Sequence, residues 1–259
     1  MNQPPDTCPG FLPDAAKRSW AELGSSISTG EPFEPGMVDL LPAPVARWLR
    51  HAIAPGTPLR EGVQVSMHGN IKIGKWMPFT ADQIVASTGY LWAAEAGRFP
   101  IMVRGFDRYS ATTAQMSWRL FGLIPVVSTA GPDVTRSAAG RLASEVIGLT
   151  PGGALGANVT WVGIDDHRAM ASITVDGLAH HVTVDVGDDG ALKTASLPRW
   201  GNPDQGPFQL HTFGVMCDGE FTSGGYTVPR HIRAGWWLGT REWEQGEFFR
   251  ATIDQARFF

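Results

Sequence analysis

The sequence predicts a mainly β protein of the α+β kind, built as a strongly curved antiparallel sheet or incomplete β-barrel with a few helices, one of them packed on the concave side. Three observations carry this. The 31 glycines and 19 prolines follow no period and imply many turns. Ten tryptophans and thirteen phenylalanines favour strands over a helical bundle. Apolar and polar residues alternate in short runs through most of the chain, whereas helical periodicity is confined to three places. With 43% hydrophobic and 18% charged positions, a 259-residue chain can bury a core without disulfide or metal staples.

Residues 1–37 read as an N-terminal extension, with one short helix across Asp14 to Leu23, and residues 38–259 as a single β-rich ligand-binding domain. Pro44 opens a second helix whose Val45, Trp48, Leu49, Ala52 and Ile53 form one apolar stripe, and Ala54-Pro55-Gly56 ends it. From Gly62 the period becomes two: Val63, Val65 and Met67 share one face, and Gln64, Ser66 and His68 the other. Gly69-Asn70 reads as a turn before a second short strand over Ile71 and Ile73. Extended segments follow at Ala81–Ser87, Tyr90–Ala94, Phe99–Arg104 and Thr113–Leu120.

Gly131-Pro132-Asp133 then opens a helix in which Val134, Ala138, Leu142 and Val146 recur every four residues, with Gly148 and Pro151 closing it. Arg141 and Glu145, spaced i,i+4, read as an ion pair on its solvated face, with a role beside a cavity mouth as the alternative. Four strands at Val159–Ile164, Ala169–Asp176, Ala179–Val186 and Ala191–Leu197 come next, the last two joined by the hairpin signal Asp189-Gly190. Phe208–Phe213, Val228–Trp237 and Glu247–Ile253 bring the segments read as extended to thirteen.

The formal charge of -4 offers no footprint for a nucleic-acid backbone or an anionic membrane surface. No stretch approaches the length and apolarity of a membrane span, and the first residues lack the pattern of a signal peptide. The expectation is a cytoplasmic protein with reduced thiols, no nucleic-acid partner and no membrane insertion, with a homodimer left open. Cys8 and Cys217 match neither zinc-ligand nor redox spacing. No phosphate-binding loop, dinucleotide fingerprint, nucleophile elbow or zinc-protease helix is found, so no cofactor and no metal are expected.

The chemistry-bearing residues centre on Arg104-Gly-Phe-Asp107-Arg108-Tyr109-Ser110. In a regular strand Asp107 and Tyr109 share a face while Arg108 points away, which suits a carboxylate base and a phenolic donor addressing one substrate. His68 is the third catalytic candidate, assisting proton transfer. Trp76, Phe79, Tyr90, Trp92, Phe106, Trp118, Phe121, Trp161 and Trp236 are candidate walls of an aromatic cavity, with Arg104, His211 and His231 as polar contacts. The partner they suit is a lipophilic small molecule carrying one or two oxygens. Two functions fit it: a cofactor-independent acid–base enzyme acting on that molecule, or a noncatalytic carrier or sensor of it.

Several segments also resemble a bacterial family of unknown function over roughly residues 38 to 255. These are Leu41-Pro-Ala-Pro-Val-Ala-Arg-Trp-Leu-Arg50, Trp76-Met-Pro-Phe-Thr-Ala-Asp-Gln83, Leu123-Ile-Pro-Val126, Trp161-Val-Gly-Ile-Asp-Asp-His-Arg-Ala169 and Gly224-Gly-Tyr-Thr-Val-Pro229. The resemblance implies a fold of the lipoprotein-carrier type, an incomplete antiparallel barrel with helices closing its concave side and a hydrophobic-ligand cavity. It assigns no catalytic residue. Gly201–Phe208 and the inserted-looking Val215–Gly219 depart from the family pattern and are expected to reshape one rim of that cavity.

Overall fold

The computed structural model describes residues 8–25 and 30–259. Two helices, α1 (Asp14–Gly24) and α2 (Ala43–Ala52), precede six strands. These are β1 (Val63–Ile73), β2 (Lys75–Ala86), β3 (Gly89–Arg98), β4 (Ile101–Ser110), β5 (Thr113–Leu120) and β6 (Ile124–Ala130). After α3 (Pro132–Leu149) come β7 (Val159–Gly163), β8 (Arg168–Val175), β9 (Leu178–Val186), β10 (Leu192–Gly201), β11 (Gln209–Ser223) and β12 (Tyr226–Trp236). The short α4 (Trp243–Gly246) leads into β13 (Glu247–Phe258).

All thirteen strands form one sheet in the order β6-β5-β4-β3-β2-β1-β13-β12-β11-β10-β9-β8-β7. Two antiparallel meanders are thus joined where the last strand pairs with the first, Val63 opposite Phe258. The edges are β6 and β7, and α3 is the connection between them. That helix touches β4, β5 and β6 on one side of the sheet order and β8, β9 and β10 on the other. One helix can reach both wings only if the sheet curls round it, so the structure is a half-barrel with α3 on its concave side. The curved antiparallel sheet and the helix inside it are as the sequence predicts.

The thirteen strands equal in number the segments read as extended, but two of those segments are one strand and β6 is an addition, for local reasons. Gly69-Asn70 is not a turn: Gly69 pairs with Phe79 and Ala251 and Asn70 with Pro78, within one unbroken strand. A Cβ at Gly69 would collide with the Arg250 carbonyl, so this glycine admits β13 rather than bending the chain. The turn falls instead at Gly74, whose φ of +70° suits glycine. The apolar run Ile124-Pro125-Val126-Val127 is the edge strand β6, exposed along its whole length, where a proline costs no ladder hydrogen bond. The inserted-looking Val215–Gly219 is the middle of a long β11.

Helix α1 packs on the outer face. Ala16, Trp20 and Leu23, with Leu12, bury Ile84, Leu91, Ala93 and Phe106 from outside. The stripe read in α2 is buried as expected, with Trp48 edge-on to Trp161 at 6.1 Å. Among the described residues, no helix is long and apolar enough to cross a membrane.

At the start of β13 the buried Glu247 accepts paired hydrogen bonds from Arg233 (2.7 and 2.9 Å) and Arg250 (both 2.8 Å), locking β12 to β13. Those donors hold its carboxyl at about 2, below the usual 4.5. A depressed folded value means stabilisation that is complete above pH 4.5 and lost as the pH falls through about 2. In urea unfolding, the wild type should therefore exceed Glu247→Gln in stability at pH 6, and the gap should close on acidification to about pH 2. A gap that stays constant with pH would show that the carboxylate charge contributes nothing.

Candidate functional site

The space between α3 and the inner face of the sheet is a cavity of about 460 Å³. This lies within the roughly 300–1,000 Å³ typical of small-molecule pockets. Period-two alternation points Met67 and Ile71 of β1, Phe213 and Val215 of β11, and Ile232 of β12 into it. Phe248 and Phe249 add further apolar wall. Cys217 also lines it, and burial pushes its thiol up to about 12, so it behaves as an apolar wall residue.

One end is polar. Arg141 of α3 donates to Asp107 of β4 (3.1 Å) and to Glu145 one turn on (2.7 Å). Its guanidinium lies over the Tyr90 ring at 4.4 Å. Trp118 donates to the other Asp107 oxygen (2.9 Å), and Gln83 to the other Glu145 oxygen (2.7 Å). Burial raises the Asp107 carboxyl above its ordinary value, with Arg141 and Trp118 opposing that shift. Arg141 is held further toward its charged form by Glu145, Tyr90 and Asp107 against the cost of burial. Arg199 of β10 completes the cluster; its Nε donates to the Ser137 carbonyl (3.0 Å) and its guanidinium sits 4.6 Å from the Phe213 ring. Burial lowers its value to about 10, so it stays a cation at neutral pH. Burial also raises the Tyr90 phenol to about 12, which keeps it protonated.

The candidate catalytic residues do not assemble. Asp107 lines the cavity, but both its oxygens already accept hydrogen bonds. Tyr109 shares the inner face, as the alternation requires, yet it lies beneath Tyr90 and donates to Asp176 rather than reaching the cavity. His68 is on the outer face, half exposed and paired with Asp254 at 2.8 Å. The sheet itself separates it from Asp107, because His68 alternates with the inward Met67.

Of the candidate ligand contacts, Tyr90, Trp92 and Trp236 line the cavity. Trp118 touches it only through Asp107, and Phe79 backs the wall, stacked on Phe249 at 5.1 Å. The other assignments are corrected by the structure. Phe106 and Arg104 alternate with Asp107 onto the outer face, where Phe106 packs under α1 and Arg104 pairs with Glu95. Trp76 lies under the Arg250 guanidinium (4.6 Å), and Trp161 donates to the Ala154 carbonyl (3.0 Å). Phe121 is exposed in the β5–β6 turn. His231 is exposed beside Thr252, whereas His211 faces inward but packs edge-on to Trp236 and Trp237 (both 6.2 Å). The Arg141–Glu145 pair is not on a solvated face; the two side chains are 18% and 17% exposed and line the cavity. Gln83 and Arg199 are not among the candidate site residues of the sequence, although Gln83 ends one of the segments that carry the family resemblance; Arg199 stands in none of them. Gly201 to Pro203 and Phe208 do line the cavity, in the segment that departs from the family pattern.

Among the described residues, no group of three or more His, Cys, Asp or Glu side chains is arranged to hold a metal ion. Two solved structures are similar in outline. A LolA superfamily protein from Nitrosomonas europaea is 10% identical, with 83% of this chain and 92% of that chain covered and a TM-score of 0.42. A putative outer membrane lipoprotein-sorting protein domain from Vibrio parahaemolyticus is 9% identical, with 76% and 85% covered and a TM-score of 0.36. No curated protein matches the chain. Residues 31–248 match the family of unknown function DUF6544, a stretch that takes in α2, α3, β1 to β12 and nearly all of the cavity wall, and the chain belongs to that family.

Proposed function

We propose that the protein binds a hydrophobic small molecule between α3 and the curled sheet, acting as a carrier or sensor of that molecule. The observation that carries this reading is the cavity itself: about 460 Å³, with apolar walls from both meanders and its charged groups gathered at one end. Acid–base chemistry is less well supported. Asp107 has both oxygens occupied, Tyr109 is turned to Asp176 and His68 is on the opposite face of the sheet.

The neutral fluorophore N-phenyl-1-naphthylamine tests the binding reading without invoking any head group. It should bind the wild type at a single site with enhanced, blue-shifted emission. Val215→Trp, which fills part of the cavity from β11, should weaken that binding by about tenfold or more while leaving the circular dichroism unchanged. Equal binding by both proteins, or none by either, would refute the proposal. Native mass spectrometry of the gently purified protein would complement it: a lipophile recovered unchanged supports carrying, and one converted on incubation would restore the enzymatic reading.

A further inference from the structure

We infer that the ligand is an amphiphile with an anionic, hydrogen-bond-accepting head group, a carboxylate or a phosphate ester, seated on Arg199, Arg141 and Trp92. The inference rests on the cavity-binding reading and names the chemical class that the cavity takes.

It follows from which polar atoms at the charged end are already committed. The four carboxylate oxygens of Asp107 and Glu145 each accept a hydrogen bond, from Trp118, Arg141 and Gln83. The donors are not used up. Arg141 spends Nε and Nη1 on the two carboxylates and has Nη2 left. Arg199 spends only Nε, on a backbone carbonyl, and no carboxylate among the described residues comes within ion-pair distance of it. Its two terminal nitrogens are therefore free, on a side chain that lines the cavity. Trp92 adds a buried indole N–H with no hydrogen-bond partner, on a residue 3% exposed that also lines the cavity. A buried N–H without an acceptor is costly to desolvate, so a ligand oxygen placed there supplies the missing hydrogen bond.

The charge pattern agrees with that count. Arg141 sits between two carboxylates, a triad with formal charge -1, and Arg199 brings this end to formal neutrality while making no ion pair of its own, beside the rings of Phe213 and Trp236. A cationic head group would have to displace Arg141 from its carboxylates. An anionic one need displace nothing, and it meets the planar donor fork that suits carboxylate and phosphate oxygens. Gln83 and Tyr90, the neutral polar groups of this end, bring no charge to oppose it.

Four probes with the same twelve-carbon chain separate the possibilities: dodecanoate, dodecyl phosphate, dodecanol and dodecylamine, titrated calorimetrically below micelle-forming concentrations at pH 7.5. Both anions should bind about tenfold or more tightly than dodecanol, with dodecylamine weakest; the tighter of the two anions identifies the head group. Arg199→Gln should cost dodecanoate about tenfold while leaving dodecanol nearly unchanged, and Arg199→Lys should restore part of the loss. Dodecanol or dodecylamine binding as tightly as dodecanoate would overturn the inference and leave the hydrophobic cavity standing. So would an equal loss for dodecanoate and dodecanol in Arg199→Gln. Failure of all four probes to bind would defeat the cavity reading and the head-group assignment together.

Discussion

Arg141→Met should destabilise the protein by about 3–5 kcal/mol at neutral pH, the cost of leaving buried charges without their counterion. Met keeps much of the apolar stem but removes the guanidinium that bridges Asp107 and Glu145 and covers the Tyr90 ring. The carboxylates are 15% and 17% exposed, so little solvent compensates them. An acid stranded in this way is harder to ionise folded than unfolded. Its penalty is full above the folded value and absent below the unfolded one, so the deficit should shrink as the pH falls from 7 and be gone below about 4. Adding Asp107→Asn and Glu145→Gln to Arg141→Met should recover most of the loss at pH 7. Urea unfolding of the single and triple variants at pH 7 and pH 4 measures all of this. A single-variant loss under about 1 kcal/mol would mean that the bridge is solvated and contributes as surface pairs do.

That bridge also shows where sequence reasoning stops. Val134, Ala138, Leu142 and Val146 identify α3 and one buried face, and a helix on an open sheet would need no more than one. Here the sheet curls round the helix, so Ala139, Ala143 and Ile147 are buried as well and little of the circumference is left for solvent. The i,i+4 pair then turns inward, and nothing in four-residue spacing distinguishes an inward pair from an outward one. Curvature is a property of thirteen strands together, whereas the spacing reports only on one helix.

Strand alternation has the same reach and the same limit. It groups Asp107 with Tyr109, and Phe106 with Arg104 and Arg108, and both groupings hold. It does not say which group faces the cavity, because both faces of β4 are covered: α3 lies inside, and α1 outside with Ser19 accepting from Arg108 at 2.9 Å. Aromatic residues on both faces look alike in sequence, so Phe106 and Trp76 read the same as Tyr90 and Trp92. Arg199 is hidden in the sequence for a simpler reason. The strand read as ending at Leu197 runs on to Gly201, and the extra turn of alternation is what carries Arg199 inward.

Gly105, inside the same segment as Asp107, carries the other large expected effect. Gly105→Ala should cost about 2–4 kcal/mol, from overpacking and the hydrogen bond it disturbs. Gly105 shares the inner face with Asp107 and pairs with Trp118 across β4 and β5. A Cβ there would lie 2.5 Å from Cδ2 of Trp118 and 2.7 Å from its Cα, so rotating the indole alone cannot make room. The missing side chain is what lets the ring lie across β4 and donate to Asp107. Displacing it would leave that carboxylate with Arg141 alone and would move Trp118 relative to Trp92, now 5.5 Å away. The indole N–H resonance of Trp118 should shift and exchange faster with solvent, and near-ultraviolet circular dichroism should fall. Gly148→Ala is the control: no atom lies within 4 Å of a Cβ there, and the residue is inside α3. The same methyl group should stabilise that helix by about 0.5–1 kcal/mol. Equal effects at the two positions would mean that Trp118 does not rest on Gly105, and the hydrogen bond that fixes one oxygen of Asp107 would lose its structural basis.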